Sequence, residues 1–114
     1  MDSQKKYYHT YPKAERKLRK EFKNRLIREQ GFRCAYCGGF FLPSEFTLDH
    51  IIPISKGGAT RLVNCVVCCK ECNSKKADKF LWECYDLVKS DVAIDKILPR
   101  VLDYYYGKRN PYER

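Results

Sequence analysis

A chain of 114 residues is short enough for one domain only, and so small a core needs a staple to hold a fold. No apolar run approaches membrane-spanning length and no apolar leader precedes a small-residue cleavage site, so a membrane protein and an oxidising compartment are both disfavoured. The formal net charge of +9 excludes neither enzyme nor binder, but it argues for a polyanionic partner.

That charge is unevenly spread. Residues 1–33 hold eleven Lys and Arg against four Asp and Glu, a net of +7. A concentrated positive field suits phosphates, because neutralising them releases counterions. The bland alternative is a solvated helix face that only aids solubility. Seven cysteines, an odd number, fit metal ligation in a reducing cytoplasm better than disulfides.

In chain order, residues 1–11 are polar with scattered tyrosines and are expected to be loosely packed. Pro12 stands where a first-turn proline belongs, and Lys13 to Gln30 contain no Gly or Pro, which predicts a helix. Leu18, Phe22 and Leu26 form a narrow apolar stripe at four-residue spacing. Arg16, Lys17, Arg19, Lys20, Lys23 and Arg28 spread over the remainder, and Gly31 supplies a stop.

FRCAYCGGF follows. Its Cys34-x-x-Cys37 pair has the form of a metal knuckle, with Gly38-Gly39 letting backbone amides turn toward the thiolates. A redox pair shares the spacing, yet redox motifs open helices and two glycines would spoil one. Two short extended runs, Phe40–Leu42 and Phe46–Ile52, are split by Pro43-Ser44, and the second carries Asp49-His50. Lys56-Gly57-Gly58 is a flexible turn. Leu62–Cys68 reads as a strand that pairs back across the loop.

Cys69 to Cys72 makes a second knuckle, and Asn73 opens a helix that continues or restarts through Phe80 and Tyr85–Val88. Asp91 caps a final helix from Val92, with Pro99 as a kink. Tyr104, Tyr105 and Tyr106 near the end suit packing better than base stacking.

Taken together, Cys34-x-x-Cys37, LDHIIPISKGG (residues 48–58), Asn64 and Cys69-x-x-Cys72-Asn73 with Lys76 resemble the HNH endonuclease motif in its four-cysteine form. The likeness covers residues 32–79. It implies an α+β fold: a ββα-metal finger with a structural four-cysteine zinc site, flanked by an N-terminal basic tail and helix (1–31) and a C-terminal helical extension (80–114).

The resemblance also assigns roles. Asp49 is similar to the carboxylate ligand of a catalytic divalent ion, His50 to the general base, and Asn64 to the residue that steadies the loop. Asn73 stands where many members have a second His, making this an HNN variant. Carboxylate and amide oxygens are hard ligands, which tilts the ion toward Mg²⁺ or Mn²⁺. Within the motif's register the structural zinc falls to Cys34, Cys37, Cys69 and Cys72, leaving Cys65, Cys68 and Cys84 as small buried hydrophobes, although Cys65-x-x-Cys68 has the same spacing.

Lys75 and Lys76, Lys56 and Arg61 in the loop, and Arg16, Lys20 and Lys23 on the first helix are candidate phosphate contacts. The expectation is a metal-dependent DNA endonuclease, nicking or cutting both strands, of the kind carried by phages and mobile elements. A homodimer or a packaging or recombination partner is compatible with it. The rivals are a catalytically inactive, zinc-braced nucleic-acid-binding module and an RNA-directed or structural zinc protein. In a regular strand Asp49 and His50 point to opposite faces, so either the strand bends before Pro53 or the two reach a phosphate from different sides, and the second fits their proposed roles.

Overall fold

The computed structural model describes residues 13–89 together with 91 and 99. The expectations for residues 1–12, for most of the last helix and for Tyr104, Tyr105 and Tyr106 lie outside the described residues.

Helix α1 spans Lys13–Glu29, the breaker-free stretch read from the sequence. Leu26 and Ile27 are buried and Phe22 is partly so, fixing the stripe that meets the core. The helix packs on both strands of a two-stranded antiparallel sheet, β1 (Phe46–His50) and β2 (Cys65–Cys69). The register runs from Phe46 opposite Cys69 to His50 opposite Cys65. Helix α2 (Lys70–Lys76) follows β2 directly and also packs on both strands. All five residues of β2 are buried, which explains why CVVCC reads as a continuous apolar run and not as an alternation.

Gln30 secures the outer edge of β2. Its amide nitrogen donates to the carbonyl oxygens of Val67 and Arg33, each at 2.9 Å, and its amide oxygen accepts from the Val67 N–H at 3.0 Å. One side chain thus satisfies backbone groups that a third strand would otherwise take.

Several elements differ from expectation for local reasons. Phe40–Leu42 forms no strand; a lone bridge joins Phe40 to Arg33 before Pro43–Glu45 turns in a 3₁₀ coil, with the Leu42 N–H bound to Glu45 Oε1 at 2.7 Å. Strand β1 stops at His50, and Leu62–Asn64 is a 3₁₀ turn before β2. Asn73 does not open α2 but lies inside it. The cap is Cys69, whose Sγ accepts from the Cys72 N–H at 3.5 Å. The chain leaves α2 at Ala77, where φ is 50°, so residues 80–88 hold two 3₁₀ turns, Leu81–Glu83 and Tyr85–Leu87, in place of a helix.

Candidate active site and metal centre

The two knuckles meet. The sulfurs of Cys34, Cys37, Cys69 and Cys72 all lie within 4.8 Å of one another, and Cys65, Cys68 and Cys84 are not among them. Backbone amides converge on these sulfurs: Cys34 Sγ accepts from the N–H groups of Tyr36, Cys37 and Cys69, each at 3.4 Å, and Cys37 Sγ from Gly39 at 3.5 Å. Gly38 holds the turn with φ of 79°, a conformation that suits glycine.

The donor set fits a soft tetrahedral ion. A Zn–S distance of about 2.3 Å implies sulfurs about 3.8 Å apart, within the 4.8 Å that bounds the cluster. Three of the four cysteines are buried, with Cys37 at the surface, and burial together with Cys34 and Cys69 pushes the Cys72 thiol up. That thiol gains a reason to ionise when a cation joins the cluster. The cluster is therefore positioned to bind a metal such as zinc.

Asp49 and His50, neighbours at the end of β1, have different surroundings. Asp49 is 3% exposed. Its Oδ2 accepts from the Tyr36 hydroxyl at 2.6 Å and pairs with Lys76 Nζ at 3.2 Å. Lys76, expected among the phosphate contacts, is instead wholly buried and also donates to the His50 carbonyl oxygen at 3.0 Å. Burial raises the Asp49 carboxyl above its ordinary range, opposed by Lys76 and Tyr36. The Tyr36 hydroxyl is raised further, by its own burial and then by Asp49, and so remains a donor.

His50 is half-buried. Its Nε2 lies 2.9 Å from Thr60 Oγ1. Burial, then the positive charges of Arg19 and Lys76, lower its pKa to about 4, so the imidazole is neutral at pH 7. Arg19 comes from α1, and its charge also acts on Asp49 and on Cys65, the cross-strand partner of His50. The first helix therefore contributes to this end of the sheet.

Asn64 is fully buried and ties the loop shut. Its Oδ1 accepts from the Ile52 N–H at 2.9 Å, while Nδ2 donates to the carbonyl oxygens of Ile52 at 3.1 Å and Ala59 at 3.0 Å. Gly58 permits this closure, since a Cβ there would stand 1.8 Å from the Ile52 carbonyl oxygen. Asn64→Ala would strand two buried backbone groups of Ile52 and a half-buried one of Ala59, and a loss of about 3 kcal/mol in urea unfolding is the expected result.

Asn73 is half-buried in α2, three residues before Lys76 and hence on the same helical face as the ammonium that reaches Asp49. Lys75 is exposed and paired with Glu71 at 3.1 Å. Lys56 Nζ donates to the Asp78 carbonyl oxygen at 2.9 Å and sits 5.4 Å from the Phe80 ring centroid. Arg61 and Lys20 are exposed; Arg16 and Lys23 are half-buried. Lys23 has its pKa lowered by partial burial and then by the charge of Lys70.

Sequence reasoning missed Tyr36, Thr60 and Arg19. Tyr36 was discoverable as the one large side chain between two ligand cysteines, and Arg19 was visible only as a member of the basic face. Thr60 carries no signal of its own.

Fold and site together define a ββα finger clamped by four cysteines. Residues 34–79 match the family model for HNH endonuclease. The chain is 29% identical over 77 residues to the SPbeta prophage-derived putative HNH endonuclease YoqL of Bacillus subtilis (strain 168), an alignment covering 58% of this chain and 32% of that protein. It thus spans about a third of the length of this curated relative. Among solved structures, the Type II-C Cas9 enzyme from Actinomyces naeslundii aligns with a TM-score of 0.49 and 31% identity over 53% of this chain and 7% of that one. The family match thus falls on the same stretch, residues 34–79, that carries the motif resemblance. Among the described residues no helix is long and apolar enough to cross a membrane.

Proposed function

We propose that this protein is a DNA endonuclease that hydrolyses a phosphodiester with His50 as general base, on a finger held by zinc at Cys34, Cys37, Cys69 and Cys72. The observation that carries this reading is the juxtaposition, at the end of β1, of a buried carboxylate and a half-buried imidazole kept uncharged, inside the stretch that matches the HNH family.

A general base must be unprotonated and fixed. In the tautomer whose Nε2–H donates to Thr60 Oγ1, Nδ1 keeps its lone pair and takes a proton from water. Asp49 and Asn73 supply hard oxygens for Mg²⁺ or Mn²⁺, which when bound would polarise the phosphate and steady the leaving alkoxide. Asn64 holds the loop from Ile52 to Ala59, which leads into Thr60, so that the ring keeps its orientation. Arg19 places a fixed positive charge beside His50, where charge builds on the phosphoryl oxygens.

The DNA backbone is assigned to α1 and the start of α2. Arg16, Lys20 and Lys23 recur at helical spacing, and Lys23 feels the repulsion of Lys70. A phosphate between the two would relieve it. Replacing both with Gln should weaken binding to any duplex and reduce the slope of log affinity against log salt by about two. An unchanged slope would move the DNA elsewhere. Lys75, Lys56 and Arg61 remain rim candidates, whereas Lys76 serves Asp49.

The direct test is supercoiled plasmid with zinc-loaded protein, with and without Mg²⁺ or Mn²⁺. Nicked or linear product only with the added ion is expected. Duplex binding without cleavage under any divalent ion would leave the inactive module as the answer.

A further inference from the structure

We infer that Tyr36 is a positioning residue for the carboxylate of Asp49, and that through it the four-cysteine cluster sets how tightly the protein holds its catalytic ion. The inference rests on Asp49 being an ion ligand, as proposed above.

Tyr36 lies between the two cysteines of the first knuckle, so the cluster fixes its backbone. Its N–H donates to Cys34 Sγ at 3.4 Å, and its carbonyl oxygen accepts from the Lys89 N–H at 2.8 Å. The ring is fully buried, and its hydroxyl reaches thirteen residues along the chain to Asp49 Oδ2 at 2.6 Å. Lys76 approaches the same oxygen, at 3.2 Å, from α2. Cys72 and Lys76 share the seven residues of α2, so the second knuckle feeds the same carboxylate.

Both donors choose Oδ2, and Oδ1 takes no hydrogen bond among the described residues. A carboxylate pinned by one oxygen and open at the other presents a single, oriented ligand atom. Without Tyr36, the lone tether from Lys76 would let the carboxyl group rotate, and part of its affinity would go into reordering it. A tyrosine that merely filled the core would need only its ring, which phenylalanine also provides. Among the described residues the hydroxyl bonds only to Asp49.

The test is Mn²⁺ binding to zinc-loaded protein, read from the electron paramagnetic resonance signal of free Mn²⁺, with zinc counted by atomic emission. Tyr36→Phe is expected to keep one zinc per chain while its Mn²⁺ Kd rises about tenfold, the scale on which groups supporting a metal ligand act. In an Asp49→Ala background the same substitution should add nothing. Undiminished Mn²⁺ affinity in zinc-replete Tyr36→Phe would overturn the inference, as would an equal further loss in the Asp49→Ala background. If Tyr36→Phe only lowers the melting temperature and leaves Mn²⁺ affinity alone, the residue is core and nothing more. Full Mn²⁺ binding by Asp49→Ala with Tyr36 intact would remove the ion site itself, and this inference with it.

Discussion

Stripping zinc from the four-cysteine cluster is expected to unfold the finger, with loss of far-ultraviolet circular dichroism and of the thermal transition. Structural zinc in small domains contributes on the order of 10 kcal/mol of folding free energy, comparable to the whole stability of an ordinary domain. Here the cluster joins segments far apart in sequence: Cys34 and Cys37 close the turn after α1, while Cys69 and Cys72 bind the end of β2 to α2. A second force across the same junction, the Gln30 amide on Val67, is worth only about 1 kcal/mol per hydrogen bond. Chelation followed by restoration with Zn²⁺ should therefore abolish and restore the transition. A chelated protein that still melts cooperatively at the same temperature would show that the core suffices.

The same experiment separates the two ways of choosing ligands. Cys69→Ser should reduce zinc from one per chain to none and abolish the transition. Cys65→Ser should keep the zinc, because burial pushes the Cys65 thiol up to about 12 and it stands on β2 opposite His50, away from the cluster. Cys68, raised well above its ordinary value by burial and then by Asp49, is likewise a neutral core thiol beside Thr47. Zinc lost from Cys65→Ser and retained in Cys69→Ser would reverse the ligand set.

Spacing made the metal centre legible because a tetrahedral S₄ site needs only two turns, and each turn is local: two residues between thiols, with glycines after the first pair. The first helix was legible for the same reason, its apolar stripe and lack of breakers acting within one turn. What escaped was non-local. That Lys76 turns inward depends on Asp49, twenty-seven residues earlier, and on a helix that begins at Lys70, capped by a thiol, three residues before Asn73. The failure of Phe40–Leu42 to form a strand follows from β1 having β2 as its partner, which local propensity does not report. The opposed directions expected of Asp49 and His50 are reflected in their separate partners, Tyr36 and Lys76 for one and Thr60 for the other.

In the proposed reaction His50→Ala is expected to cost about 10²- to 10⁴-fold in plasmid turnover while leaving zinc, fold and duplex affinity in place. Side-chain removal is tolerable because the ring is only half-buried and its side-chain hydrogen bond, to Thr60, is one that water can replace. The strand itself is held by backbone pairing to Cys65 and by the ammonium of Lys76 on the His50 carbonyl oxygen, neither of which involves the imidazole. Catalysis, in contrast, needs the ring. Asp49 is engaged by Lys76 and Tyr36, and the side chains of Arg19 and Lys76 offer hydrogen-bond donors and no acceptor. No other described group at this end of the sheet is a neutral base fixed at the end of β1. Single-turnover nicking in Mg²⁺, with wild type alongside, measures the loss. Turnover within twofold of wild type would mean that water is activated by some other group, and the general-base assignment would have to be given up while the zinc-held finger stood.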